Sequence, residues 1–474
     1  MILRPYQDKI IADVRAAIRD GHKRILIQSP TGSGKTVMFS NMLVNSVAKG
    51  YRPMFTVPSR EVLKASSRAL SEHGLEHGFI ADGFLSNPHT PAQLAMIPTL
   101  ANRIDRIQSP SFIVIDEAHH SPAARYRKLW DKWPDVLKIG LTATPWRLDG
   151  KGLGDLYDIM IHGPTVSELI LAGHLAPFQA FSPPQVIDLS GVKTTMGDYN
   201  SNQLAIAADK PTITGDAIAH YKTLAYGKRA VVGAVNIQHS QHISRDFLSA
   251  GIPSAHVDGK MSVADRDRII ADFVAGRVLV LCQVGILTEG VDIPGIECAI
   301  SLRPTQSLSL WLQFIGRALR FIPGKTAIIL DHVGNGLRHG WPSTPREWTL
   351  DGEVKKSKRG PVERVDTGLK LCEKCFAQVD KILLACPRCG EVFPLSKTGI
   401  KTVDGTLVKV DLDAAIKLKE TRKELKKSIG TARTEQELEI LRKRLGYKYG
   451  WSQHILKARE KNASQGFEPE YRYV

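Results

Sequence analysis

The stretch Ser29-Pro30-Thr31-Gly32-Ser33-Gly34-Lys35-Thr36 limits the fold of this 474-residue chain more than any other. It follows a short apolar run, Arg24–Gln28, and opens a segment with helical patterning. A strand that ends in a glycine-rich turn and leads into a helix is the setting of a phosphate-binding loop. Gly32 and Gly34 let backbone N–H groups turn inward around phosphates, and the helix N-terminus adds the positive end of its dipole. Lys35 can reach the β- and γ-phosphates, and the Thr36 hydroxyl can hold Mg²⁺. Ser29 stands where such loops usually carry their first glycine.

The surrounding pattern repeats that unit. Met54–Val57, Phe112–Asp116 and Lys138–Leu141 read as further buried parallel strands, with helical stretches between them. The rhythm fades over 181–210 and returns with Ala230–Val235, Ser254–Val257, Val278–Val284, Glu297–Leu302 and Thr326–Val333. The expected architecture is α/β: two tandem doubly wound parallel sheets, 1–180 and 211–345, joined by a linker at 181–210. A polar, basic stretch at 346–367 reads as a second linker. A cysteine cluster at 368–395 and a basic, helical tail at 396–474 complete the chain. Net charge is +16, which draws a chain toward polyanions. The start lacks an apolar core of signal-peptide length, and no run of about 18 apolar residues suggests a membrane span, so a cytoplasmic protein is expected.

The run Phe112-Ile113-Val114-Ile115 ends in Asp116-Glu117-Ala118-His119. Carboxylates at the C-terminal end of such a strand face the crevice where ligands bind. Asp116 is the candidate Mg²⁺ ligand alongside Thr36. Glu117 is placed to orient or deprotonate an attacking water, and His119 to sense the γ-phosphate.

With these motifs in order, the sequence resembles the superfamily-two helicases of the DEAH type. Arg4-Pro5-Tyr6-Gln7 resembles their adenine-reading element, Val57-Pro58-Ser59-Arg60-Glu61 the first strand-contacting motif, and Leu141-Thr142-Ala143-Thr144-Pro145 the coupling motif. Thr288-Glu289-Gly290-Val291-Asp292 and Gln313-Phe314-Ile315-Gly316-Arg317-Ala318-Leu319-Arg320 resemble the fifth and sixth. Asp116–His120, Leu148-Asp149-Gly150-Lys151-Gly152 and the late cysteines resemble most the RadD-like helicases of bacteria and phages.

The resemblance implies two RecA-like lobes with ATP in the cleft between them. Ser29, Thr31, Gly32, Ser33, Gly34, Lys35 and Thr36, with Arg4, Gln7, Gly290 and Asp292, would bind the nucleotide. Gln313, Arg317 and Arg320 would complete the site from the second lobe. The two arginines, three apart, would share one helical face and act as fingers in cis. Thr142 and Thr144 would transmit lobe closure. Ser59, Arg60, Thr99 and Thr288 would contact the strand, mostly through phosphates, which carry no sequence information.

Cys372, Cys375, Cys386 and Cys389 form two CxxC pairs separated by ten residues, which suits structural Zn²⁺ in a closed tetrahedral site. Cys282 and Cys298, inside strands, read as core. Residues 351–474 hold 27 Lys and Arg against 18 Asp and Glu. There Arg442–Trp451 mixes cations with aromatics, which suits either base stacking or packing. The expected activity is an ATP-dependent helicase or translocase on DNA with single-stranded character, with replication or repair proteins as partners. An RNA helicase, a duplex translocase and an ATP-gated clamp remain open.

Overall fold

Apolar strands that alternate with amphipathic helices bury both faces of a sheet. The chain does this twice. The structure, a computed structural model, describes residues 3–147, 150–183, 194–195, 198–199, 211–285, 293–352, 369–371, 378–380, 408–409, 434–445 and 452–453. The first lobe runs α1 (Pro5–Arg19), β1 (Arg24–Gln28), α2 (Lys35–Val47), β2 (Pro53–Val57), α3 (Arg60–Glu72), β3 (His77–Ile80), β4 (Ala92–Met96) and α4 (Ile97–Arg103). It continues through β5 (Phe112–Ile115), α5 (Ala124–Lys132), β6 (Leu137–Thr142), β7 (Ile159–His162) and α6 (Val166–Leu171). Its strands lie in the order β3-β4-β2-β5-β6-β1-β7, all paired parallel. On one face, Val14, Leu43 and Leu63 from α1, α2 and α3 pack with Ile25, Phe55 and Val114. On the other, Leu129, Leu156 and Tyr157 pack with Leu26, Met54 and Ile113.

The second lobe begins earlier than composition suggests. β8 (Phe178–Ser182), which a boundary at 180 would cut, pairs with a strand far downstream. Local patterning cannot show such a partner. A short hairpin follows, β9 (Thr194–Thr195) with β10 (Asp198–Tyr199). Then come α7 (Pro211–Leu224), β11 (Ala230–Gly233), α8 (Ile237–Ser249), β12 (Ser254–Val257), α9 (Val263–Val274), β13 (Val280–Gln283), β14 (Cys298–Ser301), α10 (Leu308–Gly316), β15 (Ala327–Asp331) and α11 (Asn335–His339). A second hairpin, β16 (Leu369–Leu371) with β17 (Gln378–Asp380), and β18 (Val408–Lys409) complete this part of the chain. The sheet order is β12-β13-β11-β14-β15-β8-β18, with β18 alone antiparallel. Cys282 and Cys298 are fully buried in its core, as expected, and burial pushes the Cys282 thiol up to about 12.

After α11 the chain returns to the first lobe. Residues 346–352, read from composition as linker, dock on the turn that follows β6. Trp146 Nε1 donates to the Thr349 carbonyl at 3.0 Å, and Gly154 N donates to the Leu350 carbonyl at 2.9 Å. Lys151 and Gly352 form an antiparallel bridge. A Cβ on Gly152 would lie 1.8 Å from the Leu350 carbonyl oxygen, so the docking requires glycine there.

Residues 411–474 form a separate compact unit. Within it, α12 (Glu435–Leu445) is capped reciprocally. Glu437 N donates to Thr434 Oγ1 at 3.2 Å, and Thr434 N donates to Glu437 Oε2 at 3.0 Å. Cys372, Cys375, Cys386 and Cys389 lie outside the described residues, as do Leu148, Asp149, Thr288, Gly290 and Asp292. Among the described residues no helix is long and apolar enough to cross a membrane.

Candidate nucleotide site and lobe interface

Three adjacent strands, β5, β6 and β1, place three motifs side by side at their C-terminal ends, where open parallel sheets bind ligands. The loop after β1 needs its glycines. Gly34 caps α2 in the left-handed region, φ 78°, and Gly32 has φ 83°. Both positions are also crowded. A Cβ on Gly34 would lie 2.5 Å from Gln7 Nε2, and one on Gly32 would lie 2.8 Å from Leu175 Cδ2. Ser29, at the position of the missing glycine, is fully buried, and its hydroxyl donates to Ser33 Oγ at 2.7 Å. Lys35 Nζ donates to the carbonyls of Ser29 and Pro30, at 3.1 and 3.3 Å. Burial draws the Lys35 ammonium below its ordinary pKa, against the opposing pull of Glu117 and Asp116.

Gln7 sits behind this loop. It is buried, its Nε2 donates to the Ser33 carbonyl at 3.2 Å, and its Oε1 accepts from Arg4 N at 2.9 Å. Tyr6, which motif reading passed over, donates its hydroxyl to the same Ser33 carbonyl at 2.6 Å. Arg4 and His174 line the cleft beside it, with the His174 ring 5.6 Å from that of Tyr6.

Glu117 is the one non-glycine residue with positive φ among the described residues, at 46°. Such a conformation costs of order 1–3 kcal/mol and persists where the surroundings over-determine it. Here they do. Glu117 Oε2 lies 3.3 Å from His119 Nδ1 and accepts from Gln313 Nε2 at 3.5 Å. His119 Nδ1 is 3.2 Å from Thr142 Oγ1, which donates to the Thr144 carbonyl at 2.9 Å. Thr144 Oγ1 meets Ser309 Oγ across the lobe interface at 2.6 Å. Ser309 and Gln313 are one turn apart on α10, so the series leaves α10 at Gln313, crosses the first lobe and returns to the same helix. Sequence reading missed Ser309; its spacing of four from Gln313 is the signal that would have found it.

Burial raises both carboxyls. In Asp116 the neighbouring Glu117 charge adds to that rise. In Glu117 the His119 contact, Lys35 and Arg317 outweigh burial and hold it below the usual carboxylate range. The two acids are thereby set apart, with Glu117 the more readily ionised of the pair.

Gln313, Arg317 and Arg320 all line the cleft, whose volume is about 1150 Å³, together with Lys35, Thr36, Asp116 and Glu117. The expected shared helical face for the arginines is not found. α10 ends at Gly316, and Arg320 pairs with Leu175 as an isolated antiparallel bridge. Gly316 presses on Thr31, where a Cβ would lie 2.9 Å from the threonine's own. The backbone then closes through tight turns, Arg317 N to the Phe314 carbonyl and Ala318 N to that of Ile315. Both arginines still reach the cleft by this route. An ion pair between Glu61 and Arg266, at 2.6 Å, also joins the lobes and could not be read from local sequence.

The strand-contact candidates are placed differently. Ser59 caps α3, its Oγ accepting from Val62 N at 3.3 Å. Thr99 is buried and donates to Asp82 Oδ2 at 3.1 Å. Arg60 lies over the Phe84 ring, 4.8 Å from its centroid, and lines the cleft.

Comparison with known proteins agrees with this geometry. The type III restriction enzyme res-subunit family matches residues 1–147, and the helicase conserved C-terminal domain matches residues 216–322. A 51.5 kDa protein of a Lactococcus phage (isolate 7-9) is 37% identical over 78% of this chain and 79% of its own length. IRC3 of Saccharomyces cerevisiae is 31% identical over 70% of this chain, which spans about half (52%) of that protein. An HsdR-subunit fragment of a type I restriction enzyme from Vibrio vulnificus YJ016 shares the fold, with a TM-score of 0.56 at 22% identity, over 72% of this chain and 67% of that one. Two RecA-like lobes, a phosphate loop facing acidic and arginine motifs across the cleft, and a phage relative matched over most of its length place the chain among the superfamily-two helicases, ATP-hydrolysing motors of nucleic acids.

Proposed function

We propose that the chain is a DNA-directed motor of the DEAH type, related to the RadD-like helicases, in which lobe closure around ATP drives strand movement. The observation that carries this reading is the hydrogen-bonded series from Gln313 through Glu117, His119, Thr142 and Thr144 to Ser309. It ties the carboxylate that acts on water to the threonines of the coupling motif and to both ends of one turn of α10. Glu117 orients or deprotonates the attacking water, and Gln313 holds that carboxylate. Arg317 and Arg320 bring positive charge to the developing γ-phosphate charge.

Thr36 and Asp116 line the same cleft and are hard oxygen donors, the set that suits Mg²⁺. When bound, Mg²⁺ neutralises charge on the β- and γ-phosphate oxygens. The preference for DNA rests on the RadD-like motifs and the restriction-subunit family match, while the charge of +16 favours a polyanion of either kind. Cys372, Cys375, Cys386 and Cys389 would hold structural Zn²⁺, and the basic tail would add grip or substrate choice. Replication or repair proteins are the partners this reading implies, and the cytoplasm its setting.

The test is ATP turnover without nucleic acid and with single-stranded DNA, duplex DNA or RNA. Stimulation strongest with single-stranded DNA is expected. Strongest stimulation by RNA would make the chain an RNA helicase, and by duplex alone a duplex translocase. No stimulation by any strand would overturn the motor reading.

A further inference from the structure

A second cavity, of about 140 Å³, opens between the lobes beside Thr144. Trp146 and Arg147 line it from the first lobe, Ser309 and Arg338 from the second, and Trp348 from the returning segment. The two indole rings meet edge to face, with centroids 4.6 Å apart and planes at 67°. Trp146 is fixed by its bond to the Thr349 carbonyl, yet both tryptophans are only half-buried. Leu350, not this pair, joins the core beneath. Across the cavity, Arg338 is held by the Thr305 carbonyl at 3.2 Å and Asn335 Oδ1 at 3.0 Å, which fixes a guanidinium at the far wall. The volume is well below the roughly 300 Å³ at which drug-sized pockets begin, and suits one planar ring system.

We infer that this cavity receives one unpaired base of the nucleic-acid strand, stacked on the face of Trp348 with Trp146 against its edge, and with Arg147 and Arg338 toward the flanking phosphates. The inference rests on the motor reading above and adds a base contact to a grip otherwise made through phosphates. Stacking of this kind tolerates any sequence, because every base has a π-face. Its position gives it a second consequence. Thr144 and Ser309 line the same cavity and end the series that begins at Glu117. A base seated there touches the groups that position the hydrolytic carboxylate, so strand occupancy and ATP turnover are linked through a few side chains.

The test measures ATP turnover of the full chain against the concentration of a thymidine 20-mer, and of an abasic 20-mer with the same phosphates. The proteins are wild type, Trp348→Ala and Trp348→Phe. A stacked base is worth about 1–3 kcal/mol, so Trp348→Ala should raise the half-saturating 20-mer concentration about 5- to 150-fold. Trp348→Phe should largely restore it. On wild type, the abasic strand should need a similar excess, a comparison that depends on no variant. Equal half-saturation for wild type and Trp348→Ala, or an abasic strand as effective as the thymidine strand, overturns the cavity's role and leaves the motor reading intact. A wild-type chain that no strand stimulates overturns both.

Discussion

At the scale of single residues, the two ends of the Glu117 series make separable predictions. Lys35 and Glu117 lie in one cleft and, in the proposed mechanism, do different work. Lys35→Ala removes a cation that holds phosphates, so ATP affinity and hydrolysis should both fall. Glu117→Gln keeps the shape and removes the anion that acts on water. It should bind ATP about as tightly as wild type and hydrolyse it at less than about a hundredth of the rate, as expected when a positioned general base is lost. Equilibrium nucleotide binding beside single-turnover hydrolysis separates the two; a Glu117→Gln variant that hydrolyses at the wild-type rate removes Glu117 from the chemistry. At the other end, Thr144 and Ser309 share one buried hydrogen bond at 2.6 Å. Loss of such a bond costs about 1 kcal/mol. Ser309→Ala and Thr144→Val should each lower strand-stimulated turnover about fivefold, and the double variant should be little worse than either. Additive effects in that double-mutant cycle would show that the two residues act independently.

At the scale of elements, legibility follows burial. β1, β2, β5 and β6 lie inside a two-faced parallel sheet, and each is apolar over most of its length, β6 despite the buried Lys138, so each is readable. β3 and β4 carry polar residues, His77 and Gln93, and escaped notice. The candidate site was legible where a motif reports its own backbone, as at Gly32, Gly34 and Asp116-Glu117. It was illegible where a partner lies far along the chain, as for Arg266 and Glu61. The docked segment 346–352 is the clearest case, because its partner is a turn about two hundred residues earlier. That turn exposes one element to a sharp test. Gly152 faces the Leu350 carbonyl with no room for a methyl group, whereas a Cβ added at Gly173 would meet nothing within 4 Å. Gly152→Ala should therefore detach the segment, lower the melting temperature by several degrees and open 346–352 to proteolysis. Gly173 has φ 68°, so Gly173→Ala carries backbone strain of its own but leaves the docking intact. Equal protease resistance of 346–352 in wild type and Gly152→Ala would mean the docking is not maintained in solution.

At the scale of the whole molecule, the ATP machinery and the charge are separated along the chain. Every residue assigned to the nucleotide cleft precedes residue 322. Residues 353–474 hold 27 Lys and Arg against 17 Asp and Glu, so they carry +10 of the chain's +16. Zn²⁺ held by four thiolates would subtract two charges and leave that segment basic. A cut that tests this division has to follow Gly352, because removal of Trp348–Gly352 would also strip the first lobe of its docked segment; the cut does remove β18 from the edge of the second sheet, for which the ATP-binding measurement is the control. Chain 1–352 should bind ATP with near wild-type affinity. It should bind single-stranded DNA more weakly, with a shallower dependence on salt. Each phosphate that the shortened chain fails to neutralise reduces the slope of log affinity against log salt by about 0.7 for single strands. A fall of about 2 or more in that slope would mean that the removed segment neutralises at least three phosphates. Cys372→Ser with Cys375→Ser in the full chain supplies the companion measurement. It should release zinc while ATP binding holds, and a smaller fall in the salt slope than truncation causes would assign the remaining phosphates to the basic tail. A slope unchanged by truncation would mean that the segment's charge does not touch the strand, and that the two lobes make the whole grip.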